Sequence, residues 1–438
     1  MNSKPYFAGV HAVDVTPDPG CRLCGHSARK ALAKRVHDPL MLKALVIGRG
    51  GKWVALVSSD LIRIPRPMVQ RLRAKARRRL GLAPDCLLLT SSHTHTGPFT
   101  ANEPRTPGGL TPPGYPERIE SAILGAIAMA RKTAAPARLA FGRGRVNIGS
   151  VNRRLRGPGG IAVMAPNFDG AKDDGVPVLS VRRADGSLLA ALAVYACHPT
   201  TISTDISEIS GDYPGAFQRA LESRNPGAIA MFMNGCCGDV RPAIIRNKSF
   251  AGGSFADVAR MGNLLCAEAN RTLKSAAPLN PAPIFTRLRS VRLPLLKGHI
   301  PDNARQLAAL CKAYRATHPE WSEAILAWKR EMAARLRGGG KIPRHVSVDV
   351  QCIRIGGVAL LGISGEVFAE LGLQMNREYG DRFATVCLAN GSVAYLPTEE
   401  ALAEDGYERI NFVFRGLSAP LDPCSASRLL RAAGRILR

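Results

Sequence analysis

Histidines follow two apolar segments of this chain, in short turns built from small residues. His93 and His95 come after Cys86–Leu89, and His198 comes after Leu188–Tyr195. Imidazole nitrogens are common zinc ligands, and a catalytic zinc usually has three protein ligands and one water molecule. These side chains predict a metal-dependent reaction centre, provided that the fold brings the two turns together.

Three further apolar segments end in turns that carry a carboxylate or a phenol: Ala228–Met233 before Asp239, Val358–Ile363 before Glu366, and Phe383–Leu388 before Tyr395. If all these segments are strands of an α/β sheet, their carboxyl ends meet at one crevice, where ligands bind in such folds. The pattern therefore predicts one shared site. Its dry setting would lower the pKa of a zinc-bound water towards about 7.

Each motif also has a purely structural interpretation. His93 and His95 can form a hydrogen-bonded structural pair, and His198, which precedes a proline, can be a capped core residue. Glu366 can simply begin a helix, because an acid there favours the helix dipole. The occurrence of all of them at strand ends favours the functional interpretation. The other histidines lie outside this pattern: His11, His26, His299, His318 and His345, with His37 and Asp38 in a turn that is either structural or orients the site.

Amphipathic patterns alternate with the apolar segments, which is typical of an α/β or α+β fold. The apolar runs Leu42–Val46 and Trp53–Val57 predict two more buried strands. We expect a mixed or largely parallel sheet with flanking helices and the zinc site at the strand ends. Four segments predict helices with one apolar face: Arg66–Leu80, Pro116–Ala134, Phe255–Leu273 and Gly365–Tyr379.

Two segments rich in glycine and proline, Phe99–Gly114 and Arg154–Gly175, predict long surface loops or lids. Residues 299–341 differ from them, because Asn303–Thr317 and Ser322–Leu336 have helical patterns and precede a run of three glycines. We expect a helical insertion there, between two main parts of the sheet.

Basic residues outnumber acidic ones by 60 to 34 in the 438-residue chain, which gives a formal net charge of +26. Such a balance can indicate contact with nucleic acid or with an anionic membrane. The charge is spread out, however, and aromatic residues make up only 5% of the chain, without a stacking-rich RNA motif. An anionic substrate or surface is therefore favoured over nucleic acid. The basic segment Ser425–Arg438 is interpreted as a packed terminal helix.

Eleven cysteines are scattered along the chain, and the pair Cys21 and Cys24 has no second pair to complete a zinc finger. The odd count predicts reduced, mostly buried thiols. The first residues lack the pattern of a signal peptide, and no run of about 18 apolar residues predicts a membrane span. These observations predict a cytoplasmic protein and leave its oligomeric state open.

An ordered set of motifs extends from Val15-Thr16-Pro17 near the start of the chain to Tyr407. The motifs are Ser92-His93-Thr94-His95-Thr96-Gly97-Pro98, Val151-Asn152-Arg153, His198-Pro199-Thr200, Ser210-Gly211-Asp212-Tyr213, Gly238-Asp239-Val240, Gly365-Glu366, and Tyr395 with Tyr407 twelve residues later. In order and spacing this set resembles the catalytic N-terminal domain of the neutral, non-lysosomal ceramidase family. With the length of the chain, the resemblance implies a single catalytic domain over residues 1–438, without the C-terminal immunoglobulin-like domain of secreted ceramidases.

The roles of individual residues follow from the resemblance alone. His95 matches a histidine that acts beside the metal as an acid/base or oxyanion group. Arg153 matches an arginine that reaches the site, and Tyr407 matches a tyrosine near the scissile amide. The resemblance implies one zinc ion per chain with four ligands: His93, His198, Glu366 and Tyr395.

One position departs from the family pattern. Ceramidases have Gly-Asp-Val-Ser-Pro where this chain has Gly238-Asp239-Val240-Arg241-Pro242. Arg241 has donors but no acceptor, so it cannot act as a nucleophile or a base. It can clamp a carboxylate or phosphate, or steady an oxyanion. The substitution favours a substrate that differs from ceramide, and an anionic one.

Together these features predict a zinc-dependent amidohydrolase of ceramidase type, with a small-molecule N-acyl amide as its substrate. N-acyl-sphingosine, and hence sphingolipid metabolism, is one possibility, and another N-acyl compound is the other. Two alternatives stay open. The chain can be a catalytically inactive relative that binds anionic membrane or nucleic-acid surfaces through its charge, or a zinc esterase or peptidase with the same machinery.

Overall fold

The computed structural model describes residues 5–26, 29, 31–102, 110–157 and 160–438, which form a mixed α/β fold with flanking helices. The strands are β1 (Tyr6–Asp14), β2 (Arg35–Val36), β3 (Met41–Arg49), β4 (Lys52–Ser59), β5 (Leu87–Leu89), β6 (Ala135–Arg145), β7 (Ser150–Arg156), β8 (Ala162–Asn167), β9 (Gly175–Arg183), β10 (Leu188–Tyr195), β11 (Glu208–Ile209), β12 (Ile229–Asn234), β13 (Val240–Pro242), β14 (Ile245–Arg246), β15 (Ser249–Phe250), β16 (Ala277–Pro278), β17 (Phe285–Pro294), β18 (His345–Ile355), β19 (Val358–Ile363), β20 (Glu366–Val367), β21 (Phe383–Val386) and β22 (Tyr395–Leu396). The helices are α1 (Arg66–Leu80), α2 (Tyr115–Lys132), α3 (Asp212–Arg224), α4 (Phe255–Ser275), α5 (Ala304–Thr317), α6 (Ser322–Arg337), α7 (Ala369–Tyr379), α8 (Glu399–Ala403), α9 (Tyr407–Ile410) and α10 (Ser425–Leu437).

The larger sheet has nine strands in the order β12-β10-β9-β6-β1-β3-β4-β5, with β16 paired to β6. Only the pairs β10/β12 and β4/β5 are parallel, and the other pairs are antiparallel. The sheet is therefore mixed, as expected. Its parallel pairs lie at the two ends of the strand order, and they are the pairs that precede the histidine-bearing turns.

The second sheet has four strands in the order β17-β18-β19-β21, of which only β19/β21 is a parallel pair. Ile353 and Leu360 of this sheet share a buried core with Leu56 and Leu88 of the larger sheet. Its other face packs against α7 and α10. The apolar side of α10 is buried, so the basic terminal segment is a packed helix, as predicted.

The helical insertion consists of α5 and α6, which connect two strands that are direct neighbours, β17 and β18. Trp328 is buried between Tyr314 and Phe412, at centroid distances of 5.7 Å from each. The Trp328 indole N–H donates to the Ser418 carbonyl at 3.1 Å. The insertion is thus anchored on the chain segment that follows Tyr407, which places it beside the site described below.

Two predictions of local structure were wrong. The segment Arg154–Gly175 is not a continuous loop, because β8 pairs antiparallel with β7. The helix predicted over Gly365–Tyr379 begins only at Ala369, because Glu366 and the next residue pair with β22 instead. The predicted loop Phe99–Gly114 lies partly outside the described residues, and its described ends contain no helix or strand beyond one bridge at Pro98 just before it.

Several strands were missed because their apolar residues alternate with polar ones instead of forming a continuous run. The clearest cases are β6 and β17, in which arginines interrupt the apolar residues. The cysteines are all unpaired thiols, and all but Cys21 and Cys424 are buried, as predicted. No helix in the described ranges is both long and apolar enough to span a membrane.

Candidate metal centre

The carboxyl ends of five strands, β5, β10, β12, β19 and β21, lie together and are joined by backbone hydrogen bonds. The bonds connect strands from both sheets, so the two sheets meet at this edge. The crevice expected from the sequence is therefore present. The bonds run from Asn390 N–H to the Leu89 carbonyl (2.7 Å), Cys387 N–H to the Asn234 carbonyl (2.8 Å), Gly235 N–H to the Tyr195 carbonyl (2.9 Å) and Leu388 N–H to the Gly365 carbonyl (3.0 Å).

Two histidines and a glutamate meet at the bottom of this crevice. His93, His198 and Glu366 are buried, and each offers one ligand atom within 4.8 Å of the other two. The Glu366 Oε2 atom lies 3.2 Å from His198 Nε2 and 3.5 Å from His93 Nε2. Within the described ranges, no other group of three or more His, Cys, Asp and Glu side chains is arranged to hold a metal ion.

Backbone carbonyls fix the orientation of both imidazoles. His198 Nδ1 lies 2.6 Å from the Cys237 carbonyl, and His93 Nδ1 lies 2.6 Å from the Ile62 carbonyl. A carbonyl can only accept, so both Nδ1 atoms carry the proton and both Nε2 lone pairs point at Glu366. Three acceptors that face one another repel unless a cation lies between them. The donor set of two imidazoles and a carboxylate, with carbonyl partners behind the rings, fits zinc.

Burial and neighbouring charges keep His198 and Glu366 in the forms that bind a metal. Burial, together with the charge of Arg153, lowers the pKa of His198 to about 4, so its imidazole is neutral at pH 7. Burial alone would raise the pKa of Glu366. Arg415 and His93 outweigh this effect and hold that pKa well below its usual range. The Arg415 guanidinium donates to Glu366 Oε1, and Ser392 Oγ lies 3.3 Å from the same oxygen.

Tyr395 lies beside Glu366, because the two residues are direct partners in the parallel pair β20/β22. Its ring centroid is 6.4 Å from that of His198. The guanidinium carbons of Arg153 and Arg415 lie 5.2 Å and 5.4 Å from the ring centroid. Burial and the charge of Glu366 raise the pKa of Tyr395 well above its usual value. The two arginines are placed to stabilise a phenolate if the hydroxyl loses its proton.

His93, His198 and Glu366 at the bottom of the crevice are called the floor below. His95 differs from the two histidines of the floor, because its ring has no hydrogen-bond partner. Both of its ring nitrogens are buried without a hydrogen bond. Its ring centroid lies 4.9 Å from that of His93 and 4.9 Å from that of His26. Burial lowers the pKa of His95 well below its usual value and that of His26 to about 3, so both imidazoles are neutral. A Cβ at Gly25 would lie 2.2 Å from the His95 ring, which explains the glycine there.

Arg153 is held between two tyrosines and a carboxylate. Its Nε donates to Glu408 Oε1 at 3.1 Å, and its Nη2 donates to the Gly238 carbonyl at 2.8 Å. Its guanidinium carbon is 5.3 Å from the Tyr407 ring centroid, and that ring is 5.7 Å from the Tyr395 ring. The fold therefore brings both Arg153 and Tyr407 to the crevice.

Arg241 lies on β13, directly after Val240, whose carbonyl accepts the His198 N–H at 2.9 Å. Its guanidinium carbon lies 4.3 Å from the ring centroid of Phe250, and its Nε is buried without a hydrogen bond. Burial and the charge of Arg153 lower the pKa of Arg241 to about 10, so it is a cation at pH 7. No carboxylate of the described residues forms an ion pair with it.

A buried carboxylate supports the segment that carries His93 and His95. The hydroxyls of Thr94 and Thr96 donate to the Ser210 carbonyl at 2.8 Å and 2.9 Å. The Ser210 hydroxyl donates to Asp38 at 2.6 Å. The turn at Asp38 is therefore more than a local structure, because its carboxylate orients the site through Ser210. His93 itself has φ 72°, a left-handed conformation that is uncommon outside glycine.

The crevice opens into a cleft that is lined by both aromatic and basic side chains. Trp321, Tyr407 and Phe414 provide an aromatic wall from the insertion and the segment after α8. Arg22 and His26 also line the cleft, and together with His95, whose ring contacts that of His26, they are called the basic wall below. His93, His95 and Tyr395 line the same cleft, so the candidate metal group is accessible from it.

Two site residues were not predicted from the sequence. Arg415 lacks any motif, although it is the cation that pairs with Glu366. His26 was placed outside the pattern because it does not follow a predicted strand. A glycine-histidine pair after a buried cysteine is too common to indicate a site, so only the tertiary contacts reveal it.

Comparisons with known proteins agree with this architecture. The crystal structure of neutral ceramidase from Pseudomonas aeruginosa superposes with a TM-score of 0.76 at 21% identity, covering 99% of this chain and 74% of that one. A structure described as ceramidase complexed with C2 gives a TM-score of 0.75 at 19% identity, with 99% and 75% coverage. At these identities the likeness shows the fold alone.

Sequence comparison carries the family assignment. Neutral ceramidase of Pseudomonas aeruginosa is 25% identical over 253 residues, which cover 54% of this chain and only 37% of that protein. The family model for the N-terminal part of neutral/alkaline non-lysosomal ceramidases matches residues 6–286, more than half of the chain. The chain therefore belongs to the neutral/alkaline non-lysosomal ceramidase family.

Proposed function

We propose that the protein is a zinc-dependent hydrolase that cleaves the amide bond of an N-acyl compound. The observation that carries the proposal is the meeting of two imidazole lone pairs and one carboxylate at the floor of an open cleft. His93, His198 and Glu366 would hold the ion, with Tyr395 as the fourth ligand. When bound, zinc would polarise the substrate carbonyl and lower the pKa of a water molecule.

The residues around the metal group have roles that follow from their protonation states. His95 is neutral and has two unpartnered ring nitrogens, so it can take a proton from the attacking water and give it to the leaving amine. Tyr407 is protonated and lines the cleft, so its hydroxyl can donate to the oxyanion that forms on the carbonyl oxygen. Arg153 positions both tyrosines through the faces of their rings.

Ceramide, an N-acyl-sphingosine, is the first substrate to test, because the relative that matches this chain is named neutral ceramidase. The aromatic wall of the cleft suits an acyl chain. We further propose that the chain acts as one catalytic domain, in which the insertion at about 299–341 supplies part of that wall through Trp321. An anionic membrane surface is the partner that the positive charge favours.

The test begins with the metal content of protein purified without chelator, measured by elemental mass spectrometry. We expect about one zinc per chain, lost in His93→Ala and kept in His345→Ala, whose imidazole is exposed on β18. Release of dodecanoate from N-dodecanoyl-sphingosine and from simpler N-dodecanoyl amides is then measured beside dodecanoyl esters and dipeptides. Zinc-loaded protein that cleaves only esters or dipeptides would contradict the amidase assignment. Failure to bind zinc at all would contradict the proposal as a whole.

A further inference from the structure

We propose that the N-acyl amide cleaved here carries an anionic group, a carboxylate or a phosphate, on its amine half. The inference rests on the proposed function and names its substrate class. It starts from the charges of the cleft. Among the described residues, no aspartate or glutamate lines the cleft, whereas four arginines do: Arg22, Arg29, Arg63 and Arg415.

The cations Arg29 and Arg415 are held by structural partners. Arg29 donates to the His95 carbonyl at 2.6 Å and to the carbonyls of Thr204 and Ser203. Arg415 donates to Glu366. Arg22, by contrast, has no side-chain hydrogen bond or ion pair with any described residue. Its charge is available to a ligand in the cleft.

Arg241 adds a second unsatisfied cation next to the metal group. It follows Val240, whose carbonyl contacts His198, and its Nε is buried without a partner. A buried charge without a counter-charge is costly to the folded protein, and an anion bound beside it offsets that cost. Guanidinium groups bind carboxylates and phosphates through paired N–H donors. The same chemistry explains why an arginine is useful at this position.

The two walls of the cleft set the orientation of the substrate. His95, which we propose as the proton donor to the leaving amine, contacts His26 on the basic wall. The aromatic wall is largely apolar, so it suits the acyl chain. The amine half of the substrate therefore lies on the side of His26, with Arg22 in the lining of the cleft and Arg241 behind it, close enough for its charge to lower the pKa of His26. This orientation brings the anionic group of the substrate to these two arginines.

The experiment compares two pairs of substrates that differ only in charge. One pair is N-dodecanoylglycine and N-dodecanoylglycinamide, and the other is N-dodecanoylethanolamine phosphate and N-dodecanoylethanolamine. Release of dodecanoate by the zinc-loaded protein gives kcat/KM for each. We expect the anionic member of at least one pair to be preferred by about tenfold or more, and the pair with the larger preference identifies carboxylate or phosphate as the group.

Variants then assign the preference to residues. We expect Arg241→Met to lower the ratio of anionic to neutral kcat/KM by about 10- to 100-fold, and Arg22→Met to lower it less. Arg22→Met keeps the test decisive if Arg241→Met does not fold. Arg289→Met, at an exposed arginine of β17, is the control and should leave the ratio unchanged.

The outcomes separate this inference from the function on which it rests. Equal rates within both pairs, or faster cleavage of the neutral members, would overturn the anionic substrate and leave the amidase intact. An anionic preference that persists in both Arg241→Met and Arg22→Met would overturn the assignment to these residues. No cleavage of any of the four amides or of N-dodecanoyl-sphingosine by zinc-loaded protein would overturn the proposed function itself.

Discussion

The floor and the basic wall of the cleft are built on opposite principles. At the floor, the Nδ1 atoms of His93 and His198 and the Oε1 atom of Glu366 all have hydrogen-bond partners. The remaining atoms, the two Nε2 atoms and Glu366 Oε2, face one another as acceptors and share no proton. On the wall, His26 and His95 have buried ring nitrogens without any partner. Unsatisfied buried groups are rare in folded proteins and are expected where a ligand completes them. The floor is thus organised for a metal ion, and the wall for a substrate.

The largest effect that this comparison predicts is at the floor. His198→Ala removes one ligand and opens a buried space among the others, so we expect zinc content and hydrolysis both to fall to background. Zinc is measured by elemental mass spectrometry and hydrolysis by dodecanoate release. A variant that keeps full zinc and full activity would show that the floor has another role.

His95→Gln tests the wall with a side chain that keeps hydrogen-bonding capacity but cannot transfer a proton. We expect kcat to fall by about 10²- to 10⁴-fold while one zinc per chain is retained. The measurement is kcat beside metal content in the same preparation. Loss of zinc in this variant would show that His95 helps to hold the metal ion, and it would contradict the distinction between floor and wall.

Arg415→Met tests the partner of a proposed ligand without removing a ligand. Because Arg415 neutralises and orients Glu366, we expect zinc affinity to fall by about 10- to 100-fold. Competition with a zinc chelator of known affinity measures the change. Arg431→Met, exposed on α10, is the matched control and should bind zinc like the unmodified protein.

Asp38→Asn tests the support behind the histidine segment and should have the smallest effect on chemistry. The carboxylate accepts from the Ser210 hydroxyl, the Gly211 N–H and Arg219, so an amide leaves some of these donors unpaired. We expect a loss of about 1–3 kcal/mol in the free energy of unfolding, measured with urea. Zinc stoichiometry should be unchanged, and a loss of zinc without a loss of stability would contradict the supporting role.

Elements with a strong local signal were predictable from the chain. Continuous apolar runs predicted β10 over Leu188–Tyr195 and β19 over Val358–Ile363 to the residue, and the periodic pattern did the same for α1 over Arg66–Leu80. A strand buried on both faces must be apolar throughout, so its end is visible in the chain. The residues that follow such ends could therefore be proposed as one site from the order of the amino acids alone.

The strand ends, and the residue types that follow them, are thus encoded locally in the amino-acid sequence. Which side chains complete the site depended on tertiary contacts. Arg415 reaches Glu366, and His26 reaches His95, across distances in the chain that no local pattern encodes. Glu366 became the partner of Tyr395 rather than the start of a helix, because pairing with β22 outweighed its helical preference. The physical reason is the same in each case: apolar periodicity acts along the chain, whereas charge pairing and strand pairing act between segments that only folding brings together.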